Sequence, residues 1–83
     1  MPFFTYILYS KKVDRYYIGS TANLEDRLAR HNQGRSKATK PGAPYWKLMY
    51  AEEFQSRKEA VNRELFLKKM KSREFIEKLL SGA

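Results

Sequence analysis

Tyr17-Ile18-Gly19 is followed at short spacing by Arg27 and His31. Tyr6 lies upstream and Glu64 downstream. Two phenols, a fixed cation, an imidazole and a carboxylate are the parts needed to hydrolyse a phosphodiester. An Arg presents a planar fork that can bind phosphate bidentately and neutralise charge developing on its oxygens. A carboxylate can hold a magnesium-like ion that keeps most of its waters and takes phosphate oxygens as further ligands. A phenol titrates near 10, so Tyr6 or Tyr17 works as a base only with help from cations nearby. His31 is the only histidine, which argues against a His-based zinc site. It can orient a water, bond a tyrosine or donate to phosphate. Each residue also has a plainer reading: core aromatics for the tyrosines, a snorkelling surface Arg, a dipole-stabilised His, and a Glu64–Lys68 ion pair one turn apart.

These groups need elements that bring them together. Phe3 to Tyr9 is aromatic and β-branched throughout and predicts a strand. Both of its faces are apolar, so it should be central and covered on both sides. Tyr16 to Ser20 predicts a second strand joined to it by a polar hairpin connection. Tyr6 and Tyr17 converge if they share a face, and Gly19 allows close approach of backbone or substrate. Asn23 caps a helix with Glu25 and Asp26 in its first turn, Leu24 and Leu28 as its apolar stripe and Gly34 as its stop. Arg27 and His31 then share one face. Residues 35–44 form a basic loop with Pro and Gly breakers. Tyr45 to Phe54 is the third strand, with Trp46, Leu48 and Tyr50 expected on one face. Ser56 to Glu59 is a capping box that opens a second helix, with Ala60, Val61 and Leu65 as its apolar positions. A last helix begins near Ser72 and buries Phe75, Ile76, Leu79 and Leu80. The expected class is α+β, a small three-stranded sheet flanked by helices in the order ββαβαα. Parity alone leaves the direction of the third strand open.

The whole chain narrows the partner. Its 83 residues predict one domain over 1–83, and 14% aromatic content is too rich for a disordered segment. There is no cysteine, which removes disulfides and thiolate metal sites. No run reaches membrane-spanning length, and Met1 to Phe4 reads as strand rather than leader, so a cytoplasmic location is expected. The net charge is +8, and the surplus is spread along the chain rather than confined to a tail. A small basic domain of this kind most often meets nucleic acid.

With these residues in view, the chain resembles a GIY-YIG nuclease domain over essentially its full length. The second motif is intact as Tyr17-Ile18-Gly19, and the first survives as Phe4-Thr5-Tyr6. Arg27, His31 and Glu64 stand where the family carries its phosphate-binding Arg, its His or Tyr and its metal-binding Glu. Ala60-Val61-Asn62-Arg63-Glu64 is similar to a segment of the small stand-alone subgroup of bacterial proteins. The resemblance implies a metal-dependent endonuclease using Mg2+ or Mn2+ held by Glu64, with Tyr6 as general base and Tyr17, Arg27 and His31 positioning phosphate or relaying a proton. The substrate would be nucleic acid, DNA rather than RNA, cut with low sequence specificity in repair or recombination. Gly19, Ser20 and Arg30, the loop cations Arg35, Lys37 and Lys40, and the later cations Lys68, Lys69, Lys71 and Arg73 would contact the flanking backbone. A protein partner or homodimer could supply specificity. The same surface also suits a nucleic-acid-binding module without catalysis, or a protein-interaction adaptor.

Overall fold

The computed structural model describes residues 1–70 and 72–82. Strands β1 (Phe3–Ser10) and β2 (Arg15–Thr21) are followed by helix α1 (Leu24–Asn32), a 3-10 turn (Lys40–Gly42), strand β3 (Trp46–Phe54) and helices α2 (Arg57–Lys69) and α3 (Arg73–Leu80). The sheet order is β2-β1-β3, with both pairings antiparallel. This is the α+β class and ββαβαα order that the sequence predicts, and β1 is the central strand. The third strand runs antiparallel beside β1.

The helix starts follow from local chemistry. Asn23, Ser56 and Ser72 are N-caps whose side chains accept from the amides of Asp26, Glu59 and Phe75. Gly34, with φ of 72°, ends α1 in a Schellman turn. Its amide reaches the His31 carbonyl, and the Arg35 amide reaches that of Arg30.

The register places Gly19 opposite Tyr6 and Tyr17 opposite Leu8, so Tyr6, Leu8, Tyr17 and Gly19 share one face of the sheet. Thr5, Ile7, Ile18 and Ser20 share the other. Helices α2 and α3 cover that second face, where Ile7, Ile18, Leu67 and Ile76 form a buried cluster. Helix α1 and the 3-10 turn cover the first face, where Tyr6, Leu8 and Trp46 are buried against Leu24, Leu28 and Tyr17.

Two expectations are corrected. Trp46 and Leu48 lie on the face of Tyr6, but Tyr50 lies on the face of Ile7. Leu8 pairs with Leu48 and Ile7 with Tyr50, so Met49 is an extra residue, and this β-bulge inverts the alternation beyond it. On α2, Leu65 points outward and is 57% exposed. The inward positions are Ala60, Glu64 and Leu67, with Ala60 and Leu67 buried and Glu64 half-buried between them. The apolar spacing on this helix is too sparse to specify its rotation; packing against β1 and β2 sets it. The Thr5 hydroxyl fixes the contact by donating to the Ala60 carbonyl at 2.7 Å.

Candidate functional site

Tyr6, Tyr17, Arg27 and His31 meet under α1. The Tyr6 hydroxyl and His31 Nε2 are 3.1 Å apart and share a hydrogen bond. The ring centroids of Tyr17 and His31 are 5.0 Å apart, and those of Tyr6 and Tyr17 are 6.5 Å apart. His31 Nδ1 bonds the Thr39 hydroxyl at 2.6 Å, with Thr39 itself buried. Thr39 was not singled out in the sequence; a Thr within a polar loop carries no mark of such a contact. Asn32 fixes α1 to β3, donating to the Trp46 carbonyl at 2.9 Å and accepting from its amide at 2.7 Å.

Gly19 is required by the first phenol. A Cβ at this position would sit 2.5 Å from the Tyr6 hydroxyl, so the Tyr6 ring lies directly across β2. Since β2 is an edge strand, that hydroxyl is carried towards the open edge of the sheet.

Glu64 approaches from the other face. It is rooted on α2, and its Oε1 accepts from the Ser20 hydroxyl at 2.6 Å, so acid and phenols start on opposite sides of the sheet. Both lie over neighbouring residues of β2, the Tyr6 ring over Gly19 and Glu64 on Ser20. The Glu64 charge reaches the Tyr6 hydroxyl and helps to raise its pKa. Glu64 Oε2 accepts from Lys68 at 2.6 Å, the ion pair expected of a plain i,i+4 spacing.

The electrostatics follow from burial. Desolvation pushes the Tyr6 phenol well above its usual range; Tyr17 and Glu64 add to the rise and Arg27 opposes it. Tyr6 is therefore a neutral phenol at neutral pH. Burial, then Arg27 and Arg30, hold His31 below its usual range, so His31 is neutral as well. A neutral imidazole donates through one nitrogen and accepts at the other, which matches its two hydroxyl partners. Arg27 is half-buried on the same face of α1, and its buried Nε has no hydrogen-bond partner among the described residues. An orphaned buried guanidinium nitrogen costs free energy unless an acceptor completes it.

The remaining cations divide into two groups. Arg30, Arg35, Lys37 and Lys40 are exposed on α1 and on the loop that returns Thr39 to His31. Lys68 is beside Glu64, and Lys69 is exposed at the end of α2. Arg73 is not part of this cluster: its guanidinium is bound to Asp14 at 2.6 Å and to Glu77 at 3.3 Å. Lys71 lies outside the described residues. Among the described residues no three His, Cys, Asp or Glu side chains group as a metal cluster, and no helix is long and apolar enough to cross a membrane.

Comparison with known proteins agrees with this fold. The GIY-YIG catalytic domain family matches residues 2–78. A UPF0213 protein of Streptococcus pneumoniae serotype 4 (strain ATCC BAA-334 / TIGR4) is 46% identical over 57 residues, covering 68% of this chain and 57% of that protein. The match thus spans little more than half the length of that relative. UPF0213 protein CPE1444 of Clostridium perfringens (strain 13 / Type A) is 41% identical over 68 residues, covering 81% of this chain and 71% of that protein. The solution NMR structure of the UPF0213 protein BH0048 from Bacillus halodurans superposes with a TM-score of 0.59 at 30% identity, covering 98% of this chain and 84% of that one. With a nuclease-type fold, an intact Tyr17-Ile18-Gly19 and relatives of this kind, the chain belongs to the GIY-YIG catalytic domain family, among the UPF0213 proteins.

Proposed function

We propose that this protein is a divalent-metal-dependent endonuclease that hydrolyses phosphodiester bonds of nucleic acid, DNA rather than RNA, with little sequence preference. The observation that carries this reading is the buried Nε of Arg27, without a hydrogen-bond partner among the described residues, on the face of the sheet that holds both phenols. A phosphate seated there gives that nitrogen an acceptor and lies within reach of the Tyr6 hydroxyl.

The high pKa of Tyr6 means that a standing phenolate is not available as the base. A relay removes the difficulty. Tyr6 accepts the proton of the attacking water while passing its own proton to His31 Nε2, 3.1 Å away. Neutral His31 can take that proton, and its Nδ1–H then donates to Thr39. Arg27 neutralises the charge gathering on the phosphate oxygens. Tyr17, whose ring is tilted against that of His31, orients the phosphate.

The donor set fits a hard divalent ion such as Mg2+ or Mn2+. Glu64 offers carboxylate oxygens with the Ser20 hydroxyl beside it, and such ions take few protein ligands and keep their waters. Glu64 would hold the ion, which would stabilise the leaving oxygen. Lys68 must release Oε2 for this, or serve as a phosphate contact once displaced. The occupied state of both Glu64 oxygens favours a second reading, a nucleic-acid-binding module without catalysis.

Nicking of supercoiled plasmid separates the two. The nuclease reading predicts nicked circles with Mg2+ or Mn2+ and none with chelator. Glu64→Ala should abolish nicking and retain DNA binding at low salt. Binding without nicking under any divalent ion supports the second reading.

A further inference from the structure

A hollow of about 500 Å³ lies on the same face of the sheet, next to the phenols and walled by Tyr17. It opens between the hairpin and the loop before β3, and its other walls include Arg15, Ala38, Pro41 and Trp46. Its size is that of small-ligand pockets, roughly 300–1,000 Å³, and suits one nucleobase with its sugar. Arg15, Ser10 and Trp46 form one cross-strand row, and Tyr17, Leu8 and Leu48 the next. Gly19 and Tyr6 belong to the row after that. Rows on one face are two residues apart, about 7 Å, a span one nucleotide covers. The Tyr17 wall of the hollow is thus one step, and the Arg15–Trp46 wall two steps or about 14 Å, from the Gly19–Tyr6 row, so the hollow and the Arg27–Tyr6 site suit neighbouring positions along one strand of nucleic acid.

The walls have the chemistry of a base pocket. Tyr17 is half-buried and offers an aromatic surface. Trp46 is buried at the floor, and its indole N–H is already spent on the Thr39 carbonyl at 2.7 Å, so it contributes apolar surface rather than a donor. Gly42 packs against that indole so closely that a Cβ would lie 2.6 Å from it, which keeps the floor rigid. Arg15 is exposed at the mouth and forms no ion pair among the described residues. Its cation complements a phosphate or stacks on a base.

We infer that this hollow receives an unpaired nucleobase beside the phosphate held by Arg27, so that the preferred substrate carries an unpaired or unstacked nucleotide. The position of that phosphate rests on the nuclease reading. A base already unpaired enters at least cost, because no pairing or stacking must be broken. Stacking on aromatic side chains is tolerant of base identity, consistent with low sequence preference.

The test uses a short duplex with one unpaired 2-aminopurine and its fully paired counterpart, titrated without divalent ions. Trp46 is the only tryptophan and reports occupancy directly. The unpaired duplex should bind roughly 10-fold more tightly, with quenching of both 2-aminopurine and Trp46 emission. Ala38→Phe, at an exposed loop position that lines the hollow, should reduce its affinity to that of the paired duplex; Arg15→Gln should reduce it in part. Equal affinity of the wild type for both duplexes, or Trp46 emission blind to the unpaired base, would overturn the inference. Nicking without this preference removes the hollow and leaves the nuclease reading. The preference without nicking under Mg2+ or Mn2+ does the reverse.

Discussion

On one face of the sheet Ile7, Ile18, Leu67 and Ile76 meet as an aliphatic cluster closed by α2 and α3. On the other, Tyr6, Tyr17, Trp46 and His31 pack under a nine-residue helix, with a buried imidazole between two hydroxyls and an orphaned guanidinium nitrogen. The first face is mainly apolar burial, with the Thr5 and Ser20 hydroxyls and the Glu64 carboxylate beside it. The second face buries polar groups whose hydrogen bonding is complete only for some of them. Such incompletely satisfied groups are costly in a core and useful at a site. Most of the positioned polar atoms lie on the second face, and Glu64, carried on α2, is the exception on the first.

The largest effect should come from the aliphatic face. Leu67→Ala is expected to cost about 2–5 kcal/mol in urea unfolding, while the nicking rate per folded molecule falls far less than in Glu64→Ala. A drop as large as that of Glu64→Ala would mean that the aliphatic cluster itself, and not only the carboxylate on α2, sets the site. On the polar face the signs reverse. Arg27→Ala should slow nicking by about 10²–10³-fold and leave stability unchanged or slightly raised, because it removes a buried unpaired nitrogen. Stability lost in that variant would reveal a structural Arg.

Gly19→Ala belongs to both categories. The new methyl would press on the Tyr6 hydroxyl, whose ring is buried and cannot swing aside. Overpacking of this kind costs about 1–3 kcal/mol, and the displaced hydroxyl should lose its bond to His31. Chemical denaturation and nicking should therefore both suffer. Nicking intact after a stability loss would mean that the hydroxyl is not used.

The smallest effect sharpens the contrast through pH. His31 has a folded pKa held below 6.5, chiefly by burial. The unfolded chain then binds the proton more readily, so stability is complete above pH 6.5 and falls as pH drops from there to the lower folded value. The relay fails when Nε2 is protonated, so the acidic limb of the nicking profile should lie below pH 6.5. His31→Gln should slow nicking, and its residual rate should lack that limb. An acidic limb above 6.5 would contradict a buried, neutral His31.

Much of this arrangement is legible in the sequence, for physical reasons. Caps at Asn23, Ser56 and Ser72 are local hydrogen bonds between neighbours in the chain and can be read directly. Tyr6 and Tyr17 share a face because strand parity and a short hairpin fix their register. The bulge at Met49 leaves no trace in an apolar run, so Tyr50 is misplaced by parity. The rotation of α2 is likewise hidden, since Leu65 outside and Glu64 inside inverts the apolar rule and is stabilised by Ser20, far away in the chain. Thr39 bonds His31 only because the loop folds back. Above all, linear spacing gives no hint that Glu64 and the phenols lie on opposite faces of the sheet, over neighbouring residues of β2.

That these groups act together on one phosphate is the central claim of the proposed function, and a double-mutant cycle in nicking tests it most directly. Tyr6→Phe, Glu64→Gln and the double variant should be compared with the wild type under Mg2+. Groups acting on one phosphate as a unit are strongly non-additive, so the double variant should be little slower than the worse single one. Losses that multiply, or a wild-type chain that nicks nothing, would contradict the account.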